Sequence, residues 1–113
     1  MPERRFKVVW TGAAACDLLR LASWVAAESP TDATALLERL RRRVGALATA
    51  PARGRVVPEL TFFGIVVLRE VVERPYRIVY RIAGRSVLVL GVFDGRRELE
   101  DVLLERLTAP PES

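Results

Sequence analysis

Two runs hold the side chains of this chain best suited to chemistry, Tyr76-Arg77-Ile78-Val79-Tyr80-Arg81 and Val92-Phe93-Asp94-Gly95-Arg96-Arg97. Arginine presents a planar fork of donors that matches phosphate or carboxylate oxygens. Arg77, Arg81, Arg96 and Arg97 therefore form a candidate surface for an anionic target. Cleavage at a 2′-hydroxyl would need a base, an acid for the leaving oxygen and cations for the phosphate. The arginines could stabilise a phosphorane-like transition state, but arginine does not deprotonate and cannot be the base. Tyr76, Tyr80, Glu70 or Asp94 would have to move the proton, and no spacing pairs any two of them for it. Each residue also has a structural reading. Arg77 and Arg81 share one strand face, where cross-strand acids such as Glu70 or Glu73 could compensate them. Asp94 could cap a following helix, with Arg96 and Arg97 solvated or paired to Glu98, Glu100 and Asp101.

Composition narrows the chemistry further. There is no histidine and one cysteine, Cys16. That excludes a Ser-His-Asp or Cys-His mechanism and a histidine-based zinc site. No Gly-rich phosphate loop is present, so no cofactor and no metal are expected. The 18 basic residues outnumber 14 acidic ones, and all but Lys7 are arginine, for a pI near 10.2. This balance suits nucleic acid, a nucleoprotein machine or an acidic protein partner. With 113 residues, half of them hydrophobic, the chain reads as one domain over 1–113. No run approaches the ~20 apolar residues of a membrane span, the N-terminus lacks a leader-like apolar stretch, and a lone cysteine fits a reducing cytoplasm, the expected location.

Hydrophobic periodicity supplies the elements that must position these groups. Residues 5–10 read as a strand with Phe6, Val8 and Trp10 on one face; both tryptophans read chiefly as packing residues. Thr11 can cap a helix through Glu28, with Ala14, Leu18, Leu21 and Val25 on one stripe and Ala15, Leu19, Ala22 and Ala26 on a second. Asp17, Arg20 and Ser23 form its polar ridge, and so apolar a helix should be covered on more than one side. Ser29-Pro30-Thr31-Asp32 starts a second helix to about Thr49. There Ala33, Leu36, Leu37, Leu40, Val44 and Leu47 face inward, and Arg39, Arg41, Arg42 and Arg43 outward. A loop over residues 51–60 leads to three strands, about 65–73, 76–82 and 87–94, with short turns that imply an antiparallel meander. Leu99, Val102, Leu103 and Leu107 predict a short helix over 97–107, with a tail fraying from about 108. The expected architecture is α+β: a helical hairpin on one face of a four-stranded sheet whose other face stays partly open.

The ordered set Val9-Trp10-Thr11 with Ala14 and Leu18, Ser29-Pro30 with Ala33, Pro51, Gly54-Arg55 and Val57-Pro58-Glu59-Leu60 resembles the RelE/ParE toxin superfamily. The run 76–81 and Gly95-Arg96-Arg97 extend the resemblance, which covers residues 7–97. It implies the toxin of a type II toxin–antitoxin pair, linked to growth arrest and plasmid stabilisation. It also implies the strand–helix–helix–three-strand layout and a cognate antitoxin that wraps the toxin with an otherwise disordered segment in a hetero-oligomer. Leu19, Ala22 and Trp24 on the first helix are the expected antitoxin contacts beside the four arginines. Within the superfamily, ParE-like members poison DNA gyrase and RelE-like members cleave mRNA on the ribosome. Many members carry histidine where this chain has Asp94. The missing histidine, the single lysine, the intact loop 51–60 and the long apolar hairpin favour the ParE-like, non-enzymatic branch.

Overall fold

The computed structural model describes residues 5–95 together with Arg106. The helix expected over 97–107, Arg106 apart, the frayed tail, and Arg96 and Arg97 lie outside the described residues. Strand β1 (Lys7–Trp10) leads into α1 (Gly12–Glu28) and α2 (Pro30–Gly45). Thr11 caps α1 as expected: the Ala14 N–H donates to its Oγ1 at 3.2 Å, and its hydroxyl donates to the Val89 carbonyl at 2.8 Å. The one side chain thus starts the helix and ties it to the sheet. Ser29 closes α1 and caps α2, accepting from the Asp32 N–H at 3.2 Å with Pro30 in the first turn. A one-residue link forces the helices into an antiparallel hairpin. Regular α-helix stops at Gly45, short of Thr49, because the chain tightens into a 3-10 turn, Ala46–Ala48. The Ala48 carbonyl there accepts from the Phe6 N–H at 2.7 Å, so the end of the hairpin is tied to the start of β1.

After a second 3-10 turn, Pro51–Arg53, come β2 (Arg55–Val56), a short helix α3 (Pro58–Thr61), β3 (Arg69–Glu73), β4 (Tyr76–Ala83) and β5 (Ser86–Asp94). The sheet has five strands in the order β1-β5-β4-β3-β2, one more than the sequence suggested, because Arg55–Val56 pairs antiparallel with Arg69–Glu70. The meander β3-β4-β5 is antiparallel as expected, and β1 lies parallel to β5. Gly84 (φ 60) opens the tight β4–β5 turn, a left-handed position that glycine adopts at little cost. Strand β3 begins at Arg69 rather than near Ile65. Pro58 starts a helical turn, and the Ile65 N–H donates back to the Leu60 carbonyl at 3.1 Å, which keeps residues 60–67 out of the ladder.

The hairpin covers one face of the sheet through Leu18, Leu36, Leu40, Val44 and Leu47, which pack on Ile78, Tyr80, Val87 and Val89; Phe6, Val8 and Trp10 pack at its margin. The opposite face is more covered than expected. Val57, Leu60 and Leu68 close over Val79 and Phe93, with Ile65 and Leu90 at the rim. By contrast, α1 is less covered: Cys16, Leu19, Arg20, Ser23, Trp24 and Ala27 form an exposed stripe. Asp17, expected on the polar ridge, is buried. Its carboxylate accepts the Val92 N–H at 3.0 Å and two Arg106 bonds at 3.2 Å each, and Arg106 also donates to the Leu90 carbonyl at 3.1 Å. Strand β1 ends at Trp10, opposite Val89, so β5 needs other partners beyond that point. Thr11, Asp17 and Arg106 supply them.

The loop before β2 is held from beneath by Tyr80. Its hydroxyl donates to the Pro51 carbonyl at 2.6 Å and accepts from the Gly54 N–H at 2.9 Å. Arg69 adds a 2.8 Å bond to the Gly54 carbonyl. A Cβ at Gly54 would lie 2.5 Å from the Glu70 carbonyl oxygen and 2.6 Å from the Tyr80 hydroxyl. Gly54→Ala should therefore lower the denaturant midpoint by the equivalent of about 1–3 kcal/mol, the usual cost of overpacking. Chemical unfolding followed by circular dichroism checks this, and an unchanged midpoint would show that the loop can move away.

Candidate functional site

Arg77 leaves β4 on the face opposite the helical hairpin and meets two carboxylates. It donates to Glu59 Oε2 at 2.5 Å and Oε1 at 2.7 Å, and its Nε donates to Glu70 Oε1 at 2.7 Å. Glu70 has no exposed side-chain surface, and its other oxygen receives Arg55 Nε at 2.6 Å. Strand pairing makes this meeting unavoidable. Arg55 stands opposite Glu70 on β2, Glu70 opposite Val79, and Val72 opposite Arg77. Glu59 arrives on α3, whose Leu60 is fully buried. The Arg77 hydrogen bond and charge hold the Glu59 carboxyl below its ordinary 4.5 despite partial burial, and Glu59 raises the Arg77 guanidinium in turn. Arg77 is thus internally neutralised, with its side chain only 11% exposed. Of the cross-strand acids considered from sequence, Glu70 is its partner. The bidentate partner Glu59, immediately before the uncharged run 60–68, is identifiable from sequence only as part of a loop.

The other described candidates do not converge on one point. Arg81 is exposed and paired with Leu88, whereas Asp94 is paired with Tyr76 at the other end of the same ladder. At ~3.3 Å per residue the six positions from Leu88 to Asp94 separate these rows by about 20 Å. Arg77 lies at the Asp94 end, where its side chain approaches Gly95. Tyr76, Tyr80 and Glu70 all lie in the interior. Burial pushes the Tyr80 hydroxyl's pKa up, against smaller opposing effects of the Gly54 N–H and Arg69. Among the described residues no group of acids, histidines or cysteines could hold a metal ion, and no helix is long and apolar enough to cross a membrane.

The helix candidates fare differently. Leu19 and Trp24 are 64% and 71% exposed, and Ala22 is half-buried beside them. With Arg20 they make an apolar strip carrying a cation. The antiparallel hairpin sets the first half of α1 level with the arginine-bearing half of α2, where Arg39, Arg41, Arg42 and Arg43 are exposed as expected. Asp17, expected only on a polar ridge, and Arg106, which sequence reasoning did not single out, form a partly buried clasp, with Arg106 also over the Phe93 ring at 5.1 Å. No local pattern marks them, because they are far apart in sequence and meet only at the end of β5.

Because the folded-state pKa of Glu59 is depressed, its ion pair stabilises the fold fully above about pH 4.5 and is lost as pH falls through the lowered value. Wild type should therefore lose thermal stability more steeply than Glu59→Gln below pH 4.5, while being the more stable of the two at pH 7 by about 1 kcal/mol or more. Parallel melting curves with pH-independent separation would rule out this coupling.

The comparisons with known proteins bear on the fold and the family. A family model described as the ParE toxin of the type II toxin–antitoxin system parDE matches residues 8–99. Among solved structures the chain is similar to one of the chromosomal ParDE toxin–antitoxin system from P. aeruginosa. It shares 21% identity over 81% of this chain and 98% of that one, with a TM-score of 0.66. It is also similar to one of the toxin–antitoxin complex RelBE2 from Mycobacterium tuberculosis, at 23% identity, 80% and 91% coverage and a TM-score of 0.54. No curated protein matches the chain. The structural likenesses carry the α+β fold of hairpin on sheet, and the family match, which spans both the hairpin and the meander, carries the assignment: the chain belongs to the ParE family of type II toxin–antitoxin toxins.

Proposed function

We propose that this chain arrests growth by binding and poisoning DNA gyrase, that it is a binding protein rather than a nuclease, and that a cognate antitoxin holds it inactive. The observation that carries the reading is the dispersal, among the described residues, of the groups a nuclease would need. Arg77 is closed between Glu59 and Glu70, Tyr76 and Tyr80 lie in the core, and Arg81 stands at the opposite end of the ladder from Asp94. Proton transfer requires a base within hydrogen-bond reach of the reacting hydroxyl, and among the described residues Asp94, the candidate base on β5, is six positions along the strand from the partner of Arg81. The family match supports the toxin role, and the two similar structures, both of toxin–antitoxin systems, support an antitoxin partner. For that partner the exposed strip of Leu19, Arg20 and Trp24 fits an acidic amphipathic segment: apolar side chains cover the strip, and carboxylates meet Arg20 and the α2 arginines.

Purified toxin should inhibit supercoiling and trap cleavage complexes when mixed with gyrase. Programmed ribosomes with a defined A-site codon should keep their mRNA intact by primer extension. Cuts in the mRNA with gyrase unaffected would reverse the assignment in favour of the ribosome-dependent endonuclease. Leu19→Ser should weaken the antitoxin complex about ten-fold or more while leaving the melting temperature within a few degrees, since the residue is 64% exposed. An unchanged affinity would move the antitoxin off α1.

A further inference from the structure

Residues 60–68, Leu-Thr-Phe-Phe-Gly-Ile-Val-Val-Leu, contain no charge. Phe62, Phe63, Val66 and Val67 within them are 89%, 46%, 60% and 63% exposed. Apolar patches of this kind on a protein surface mark interaction sites.

The segment is also built to hold its shape. Leu60 and Leu68 bury both of its ends, and Ile65 leans on the cluster of Val79 and Phe93. The Phe63 N–H donates to the Leu60 carbonyl at 3.0 Å and the Gly64 N–H to the Thr61 carbonyl at 2.9 Å, with Gly64 at φ 76 closing the turn. The Phe62 and Phe63 rings meet edge to face at 5.5 Å. Glu59, bound to Arg77, fixes the root. A preorganised loop keeps the ordering cost of association low.

Charge decides what the tip can hold. Its two flanking ionic groups are already engaged, Glu59 with Arg77 and Arg69 with the Gly54 carbonyl. Arg55, near the root, is bound to Glu70, and a nucleic-acid backbone or an acidic antitoxin segment finds no cation within residues 60–68 themselves. The match for an uncharged apolar projection is an uncharged apolar cleft.

We infer that residues 62–67 are the target-docking element of the toxin, inserting Phe62 and its apolar neighbours into an uncharged cleft on the target protein, on a surface separate from the antitoxin's. This inference rests on the reading of the chain as a toxin that acts by binding.

The test compares wild type with the double variant Phe62→Ser/Val66→Ser, both positions being largely exposed. Five readouts are taken: growth arrest on induction, gyrase inhibition by purified protein, affinity for the co-expressed antitoxin, melting temperature and self-association. The variant should melt within a few degrees of wild type and bind antitoxin equally. It should fail to arrest growth and need about ten-fold or more protein to inhibit gyrase, as expected for loss of an aromatic anchor. Phe62→Ala alone gives the same comparison should the double variant fold poorly. Equal potency overturns the inference. So does loss of antitoxin affinity with potency kept, which would make the tip an antitoxin contact. Loss of wild-type self-association with potency kept overturns it too, making the tip a contact between copies. Arrest by wild type without any effect on gyrase would sink only the gyrase reading, because the growth comparison still decides on the tip. A wild type that arrests nothing overturns both.

Discussion

Glu70 occupies the sheet with no exposed side-chain surface, and a carboxylate in that position is tolerable only if both oxygens are met by cations or strong donors. Arg55 and Arg77 meet them, one from β2 and one from β4. Everything at this end of the molecule follows from that requirement. The two residues of β2 sit where Arg55 can reach Glu70, and α3 sits where Glu59 can take the rest of the Arg77 guanidinium. Replacing Arg77 with an apolar residue would leave Glu70 half-compensated in the interior, a situation that costs about 3 kcal/mol or more in proteins generally. The arginine most conspicuous in sequence is thus a structural keystone.

This arrangement separates two kinds of surface. Among the described residues many arginines remain exposed, including Arg81 on β4, Arg20 on α1 and the group on α2. The apolar tip projects beyond the neutralised cluster and carries no charge of its own. A toxin that must be silenced by one protein and act on another has use for such a division, because acidic and apolar partners are then recognised by different chemistry.

At the other end of the sheet the constraint is backbone hydrogen bonding. Strand β5 outlasts its parallel neighbour β1, and its exposed polar groups are met by the Thr11 hydroxyl, the Asp17 carboxylate and the Arg106 guanidinium. Asp17 is therefore buried because the sheet needs an acceptor there. Arg106 neutralises that acid and shields the Phe93 ring.

Local chemistry was legible without coordinates. Thr11 and Ser29-Pro30 announce both helix starts, period-three-and-four leucines announce the hairpin core, and Gly84 announces the tight turn between two strands. The ordered motifs also disclosed the family. What stayed hidden depended on strand register and on residues distant in sequence. Alternation puts Arg77 and Glu70 on sheet faces, but only the pairing of β3 with β4 makes those faces the same. Nothing in Pro58-Glu59 says that a helical turn will fold over the sheet to reach that arginine. The burial of Asp17 and the exposure of Leu19 are likewise set by which strand ends first and by what packs where. Caps, periodicity and turns are local, so the elements, their order and the family can be read along the chain. Which arginines are free depends on strand register and packing, because an ion pair forms between neighbours in space.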